Sequence, residues 1–152
     1  MIQRIQTVYL CIAALLMIVC ACLPIGEFIP EGMGTPSEMY NLCIIDGTTG
    51  NWDFSVCGLF ALLAAGVITT VINIFNYKNL RAQSISCLGT IIIMLLWVGL
   101  YFFEIKMMAP ENTKFHFSII WMLPLFAILC LRYARRGIKK DQALLRSVDR
   151  IR

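Results

Sequence analysis

Charge is scarce in this sequence. Asp, Glu, Lys and Arg make up 14% of the residues, against about 25% in a typical soluble domain. There is one histidine, His116, which excludes a bis-histidine haem within the chain. Of the seven cysteines, none forms a CxxC pair, and the CxC at Cys20 and Cys22 has no second ligand pair or nearby histidine. A zinc or iron–sulfur centre is therefore not expected. No glycine-rich phosphate loop or nucleotide motif occurs. Ser84, Ser86 and Ser118 lack a neighbouring base, which an activated nucleophile needs. The apolar runs carry no acid, base or histidine in their middles, whereas proton relays and charge-coupled transporters place such a group inside the membrane. These absences lead to an expectation of no catalytic residue, no cofactor and no metal, and hence of a non-enzymatic protein.

Long apolar runs are what the sequence does have. Hydrophobic residues make up 59%, and the mean hydropathy is +0.77. The run Phe54 to Phe75, FSVCGLFALLAAGVITTVINIF, holds 22 residues without a charge, enough to cross a hydrocarbon core of about 30 Å as a helix. Cys57, Ala61, Ala65, Thr69 and Asn73 recur every fourth residue along it. Small and polar side chains at that spacing form one ridge. Helices in a bilayer meet where small residues let backbones approach, so the ridge is the expected helix-packing face. On this reading Ala65→Leu disrupts packing more than Leu63→Ala. Asn73, Thr69 and Thr70 form either an interhelical hydrogen-bonding group or a polar notch.

Three further spans are expected, at about 5–23, 84–103 and 117–133, giving a four-transmembrane-helix, all-α membrane bundle over residues 1–133. The first run is read as a retained helix rather than a cleaved signal peptide, because its charged region is a single Arg4. Pro124 is expected to bend the last span by freeing the carbonyl of Ile120. Between the first two spans, the loop 24–53 carries Glu27, Glu31, Glu38, Asp46 and Asp53 and no Lys or Arg. Met39 to Ile45 and Trp52 to Val56 read as strands around the turn signals Asp46-Gly47 and Gly50-Asn51, a β-hairpin. Cys43 and Cys57 flank that turn and are a possible disulfide pair in an oxidising compartment. His116 lies near Glu111 and Lys114, either as an interfacial histidine or as a catalytic or ligand group.

Net charge is +4 overall, yet residues 132–152 hold eight Lys/Arg against Asp141 and Asp149. Cations near span ends mark the cytoplasmic side. Both termini are thus expected in the cytoplasm and the acidic loop in the periplasm. Residues 134–152 read as a separate basic cytoplasmic helix after Gly137, with Leu144, Leu145, Val148 and Ile151 at helical spacing. Arg135, Arg136, Lys139, Lys140, Arg146 and Arg150 are the candidate contacts to the membrane surface or a partner, the alternative being a topology anchor alone. Each basic residue near anionic lipid is worth about 1 kcal/mol.

The opening Met1-Ile2-Gln3-Arg4-Ile5-Gln6-Thr7 and the closing Arg146-Ser147-Val148-Asp149-Arg150-Ile151-Arg152, together with the four-span plan, resemble a family of small Bacteroidetes membrane proteins catalogued as domain of unknown function 4293. The resemblance implies a bacterial inner-membrane protein and supplies no activity or site residue. The lipid bilayer and other inner-membrane proteins are the expected partners, and nucleic acid is not. The expected role is a structural or accessory subunit of a membrane complex. A carrier or channel for lipid or another uncharged small molecule is the alternative.

Overall fold

A computed structural model describes residues 3–30, 34–76, 79–108 and 113–149. Four helices, α1 (Gln3–Cys22), α2 (Cys57–Phe75), α3 (Leu80–Met108) and α4 (Leu123–Asp149), alternate in direction. α1 packs on α4 and α2, and α3 packs on α2 and α4, which closes a ring. At one end the ring is covered by a five-stranded antiparallel sheet of β1 (Gly26–Pro30), β2 (Ser37–Met39), β3 (Ile44–Ile45), β4 (Trp52–Asp53) and β5 (Thr113–Phe117), ordered β4-β3-β2-β1-β5.

The protein is therefore not the all-α bundle of four transmembrane helices that hydropathy suggests. Two findings overturn that reading. The first is the sheet. The expected hairpin corresponds to β3 and β4, with Ile44 opposite Asp53 and Ile45 opposite Trp52, and Gly50 takes a positive φ of 67° in its loop, where glycine has no steric penalty. Yet β1 pairs with both β2 and β5. That last pairing joins segments separated by two whole helices, and local patterning carries no signal for it.

The second finding concerns the helices. Among the described residues, three are long and apolar enough to cross a membrane: α1 from Ile5, α2 and α3. The fourth expected span breaks up into the end of β5, a 3-10 turn (Ile119–Met122) and then α4. α4 has only residues 123–131 before Arg132 begins its charged part. Pro124 sits in the first turn of α4, where its missing N–H is not needed. The Ile120 carbonyl it was expected to orphan accepts from the Leu123 N–H. Nor does Gly137 separate two helices. α4 passes through it unbroken, and the missing side chain makes room for Gln6 of α1, whose Cγ lies 3.0 Å from where a Cβ would stand.

Lipid-type packing explains which side chains face inward. Ile5, Val8, Ile12, Leu15 and Ile18 form an exposed apolar stripe on α1, while Leu10, Ala13, Met17 and Cys20 are buried. A helix apolar all round belongs in a bilayer or a deep core. The centre of the ring is filled along its length by Leu10, Met17, Leu59, Leu63, Met94, Trp97, Tyr101 and Leu131, all fully buried.

Asn41, fully buried in the link between β2 and β3, joins this centre to the cap. Its Nδ2 donates to the Cys20 carbonyl at 2.6 Å, one of the last-turn carbonyls that a helix cannot satisfy itself. Its backbone carbonyl accepts from the Phe60 N–H at 3.1 Å, a first-turn donor of α2 with the same problem. Its Oδ1 accepts from the Trp97 indole N–H of α3 at 3.0 Å. Nearby, the Tyr101 hydroxyl donates to the Ile25 carbonyl at 3.0 Å, and the Tyr101 ring stacks on Trp97, with centroids 5.4 Å apart.

Asn41→Ala keeps the backbone bond but strands the Cys20 carbonyl and the Trp97 N–H in a buried site. Each stranded group costs about 1–3 kcal/mol. Thermal unfolding in detergent should show a clear loss of stability for Asn41→Ala and almost none for the exposed-loop control Thr48→Ala.

Candidate functional site

At the end opposite the sheet, polar side chains gather between α2, α3 and the later half of α4. Thr70, Asn73, Gln83, Ser84 and Thr90 are buried there. Asn79 precedes α3 and accepts the Ala82 N–H at 3.3 Å, the geometry of an N-cap. Thr69 Oγ1 lies 3.1 Å from Thr90 Oγ1, 2.8 Å from the Ala65 carbonyl and 3.0 Å from the Gly66 carbonyl. Thr90 Oγ1 lies 3.1 Å from the Ser86 carbonyl. Two hydroxyl protons serve these acceptors, so one proton crosses between the helices and the other returns to its own helix.

Asn73 Nδ2 stands 3.1 Å from Cys87 Sγ, while Asn73 Oδ1 is buried with no partner. Exchanging the ends of the amide would let the thiol donate but would orphan the NH2, so one end stays unsatisfied either way. The seam continues outward through Gln83 Nε2, which donates to the Asn73 carbonyl at 3.4 Å. Gln142 of α4 donates to the Leu80 carbonyl at 2.6 Å. Gln6 of α1 donates to Asp141 Oδ2 at 2.6 Å.

The ridge expected on α2 is only partly the packed face. Asn73 is buried and Thr69 reaches Thr90, Ala65 is half-buried, and Cys57 and Ala61 are exposed. The buried face is instead Leu59, Leu63, Gly66, Thr70 and Asn73. Gly66 lies on this face, and a Cβ there would overlap the end of Met94.

The basic residues of α4 form a surface. Arg132, Arg136, Lys139 and Lys140 are exposed and Arg135 is half-buried. Arg150 and the side chain of Arg146 lie outside the described residues. Cys43 is buried and Cys57 exposed, and both are free thiols. His116, exposed on β5, sits opposite Glu27 of β1, and Glu27 in turn faces Glu38 of β2. Tyr40 donates to Glu38 Oε2 at 2.9 Å. That bond, which exists only while the phenol keeps its proton, holds the Tyr40 pKa above its usual value. Glu111, the suggested neighbour of His116, lies outside the described residues. Among those described, no group of three His, Cys, Asp or Glu side chains could hold a metal ion.

Two concave places lie away from the basic face of α4. A cleft of about 330 Å³ on the cap is lined by Phe28, Ser37, Ile44, Asp46, Asn51, Trp52, Asp53 and Met108. Its carboxylates are engaged locally: Asp46 accepts from Ser37 and Thr49, and Asp53 accepts the Ser55 N–H. A second groove of about 450 Å³, apolar throughout, lies between α2 and α3, lined by Leu62, Leu95, Leu96, Gly99, Leu100 and Phe103.

The model of the domain of unknown function DUF4293 matches residues 2–151. The chain belongs to this family. Comparison with curated proteins gives no match. The DUF4293 chain therefore draws no activity from its relatives, and its site must be read from its own residues. Sequence reasoning missed Asn41, Gln6 and Gln142, whose roles depend on contacts 21 to 135 residues away. For Asn41 a faint signal existed: an asparagine inside the strand-like run Met39 to Ile45.

The packing reverses one expectation from the sequence. Leu63 is fully buried and Ala65 is not. Truncating Leu63 opens a cavity in the centre, at a cost of about 2 kcal/mol or more. Melting curves in detergent should rank Leu63→Ala as the more damaging of the two, below Ala65→Leu in midpoint.

Proposed function

We propose that this DUF4293 protein is a non-catalytic, integral component of the bacterial cytoplasmic membrane and serves as an accessory subunit of a larger membrane assembly. One observation carries the reading: the centre of the helix ring is filled by large, fully buried side chains, while the distinctive chemistry lies at its two ends. A filled centre weighs against a polar path along the axis and against a deep reaction chamber.

The ends differ in charge. Glu27, Glu38, Asp46 and Asp53 lie in or beside the sheet, and Arg81 together with the cations of α4 lies at the other end. By the positive-inside rule the basic end, where α1 begins and α4 ends, faces the cytoplasm and the sheet faces the periplasm. There the edge strand β4 carries Trp52 at 62% and neighbours Phe54 at 52% exposure, with rings 6.3 Å apart. An exposed aromatic pair beside an unpaired strand edge suits a partner protein, since aromatic anchors dominate interface energies.

A second reading, a carrier for lipid or another uncharged molecule, draws support from the apolar groove between α2 and α3. Leu95, Leu96 and Phe103 of that groove are exposed, so it suits an acyl chain rather than a polar cargo.

Two measurements test the main reading. Affinity purification in mild detergent should recover stoichiometric partner proteins with the wild-type chain and markedly less with Trp52→Ala/Phe54→Ala; recovery of the wild type alone would count against a subunit role. A reporter enzyme inserted in the loop at Gly47 should be active only when exported, and cytoplasmic activity there would invert the orientation.

A further inference from the structure

Arg132, Arg135, Arg136 and Lys139 occupy positions i, i+3, i+4 and i+7 of α4, so they share one face of the helix. Two adjoining clefts follow that face. The first, of about 210 Å³, is lined by Leu129, Arg132, Tyr133 and Arg136. The second, of about 200 Å³, is lined by Arg132, Arg135, Arg136 and Lys139 alone. They share two arginines, so a recess walled on one side by Leu129 and Tyr133 runs directly into a wholly cationic one.

Nothing in the described part of the chain neutralises this charge. None of the four cations has an ion pair among the described residues, and Asp141, the nearest acid in α4, is taken by Gln6. Like charges one turn apart on a helix repel. Arg135 is half-buried, and its Nε is enclosed by protein without a hydrogen-bond partner among the described residues. Four cations held together without a counter-ion form a receptor for an anion, and guanidinium groups fit the tetrahedral oxygens of a phosphate in forked pairs.

The depth of the clefts identifies the anion's source. Tyr133 stacks on Tyr9 of α1, with centroids 6.0 Å apart, and Gly137 receives Gln6. The cations therefore lie level with residues 6–9 of α1, within the first turns of a membrane span that begins at Ile5. Towards the cap, Phe126 and Leu129 continue the same face as exposed apolar side chains. This is the boundary at which a lipid carries its phosphate beside its acyl chains. We infer that these two clefts form a discrete binding site for an anionic phospholipid, its phosphate held by Arg132, Arg135, Arg136 and Lys139 and its chain laid against Leu129 and Tyr133. The site goes beyond the accessory-subunit reading and does not rest on it, since it needs no protein partner. It also differs from a diffuse pull of the whole basic end, because it leaves out Arg81 of α3 and Lys140 of α4.

The test is native mass spectrometry of the full chain in non-ionic detergent, titrated with phosphatidylglycerol. One lipid should be retained on the wild type, and Arg132→Gln/Arg136→Gln should weaken its binding about tenfold or more, since two charge-assisted contacts are lost. The charge-matched double variant Arg81→Gln/Lys140→Gln should bind as the wild type does. If the glutamine pair fails to fold, Arg132→Lys/Arg136→Lys keeps the charge and should still bind more weakly through loss of the forked geometry. Equal weakening by both charge-removing pairs, or unchanged binding in the lysine pair, would overturn the discrete site. Equal affinity for zwitterionic phosphatidylcholine would overturn the requirement for an anion, and equal affinity for soluble glycerol 1-phosphate would overturn the lipid as its source.

Discussion

A helix entering an apolar medium leaves unsatisfied carbonyls at one end and unsatisfied N–H groups at the other, and no water is at hand to take them. Asn41 answers that constraint at two helix ends and also holds a third helix by a side chain. Its amide holds the last turn of α1 and the indole of α3, and its peptide carbonyl holds the first turn of α2. The sheet is thus coupled to the bundle: the segment carrying β2 and β3 cannot shift without releasing all three helices. Tyr101 makes a parallel connection through the Ile25 carbonyl, and the stacked rings of Trp97, Tyr101 and Trp121 fill the space beneath. A cap of strands only two to five residues long would be marginal in water. Here it draws stability from the helix ends it completes.

A few polar side chains share the interior with the apolar centre, and large apolar side chains face outward. Asn73, Gln83, Thr70 and Thr90 lie inside, and Ile5, Leu15, Ile68, Ile92 and Leu96 lie outside. In lipid an apolar side chain loses little by facing outward, so association rests on packing and on hydrogen bonds such as that between Thr69 and Thr90, each worth about 0.6 kcal/mol. Gly66 and Gly137 act in the same economy of space: one admits Met94 and the other Gln6. The three candidate spans and the apolar side chains that face outward mark a membrane protein of the DUF4293 family.

Its two ends are chemically distinct. The sheet end combines carboxylates with exposed aromatics on a strand edge. The opposite end combines a buried polar seam with a cationic face of α4 that reaches the level where α1 enters its span. Because α4 runs unbroken through Arg132 and Gly137, its cations extend from a helix packed on α1 and α3 rather than from a separate tail. The same geometry thus links the packing of α1 on α4 to the chemistry of the basic end.

What the sequence by itself determined is what depends on runs and periods: three apolar stretches long enough to cross a bilayer, the polarity of charge along the chain, the turn around Gly47 and Gly50, and membership of the family through its two terminal motifs. Those properties survive in any conformation, because transfer from water depends on composition along a helix. Tertiary structure decided the rest. Pairing of β1 with β5 needs two loops brought together across helices, and five-residue strands carry too few side chains for a period to show. Whether Ala61 or Leu63 faces inward depends on where the neighbouring helix lies, and in lipid hydrophobicity does not distinguish the two faces. The bounds expected for the fourth span differ for a related reason. An apolar average over residues 117–133 could not register that Phe117 ends a strand, that Pro124 starts a helix, and that only the segment between Leu123 and Arg132 remains to face the membrane.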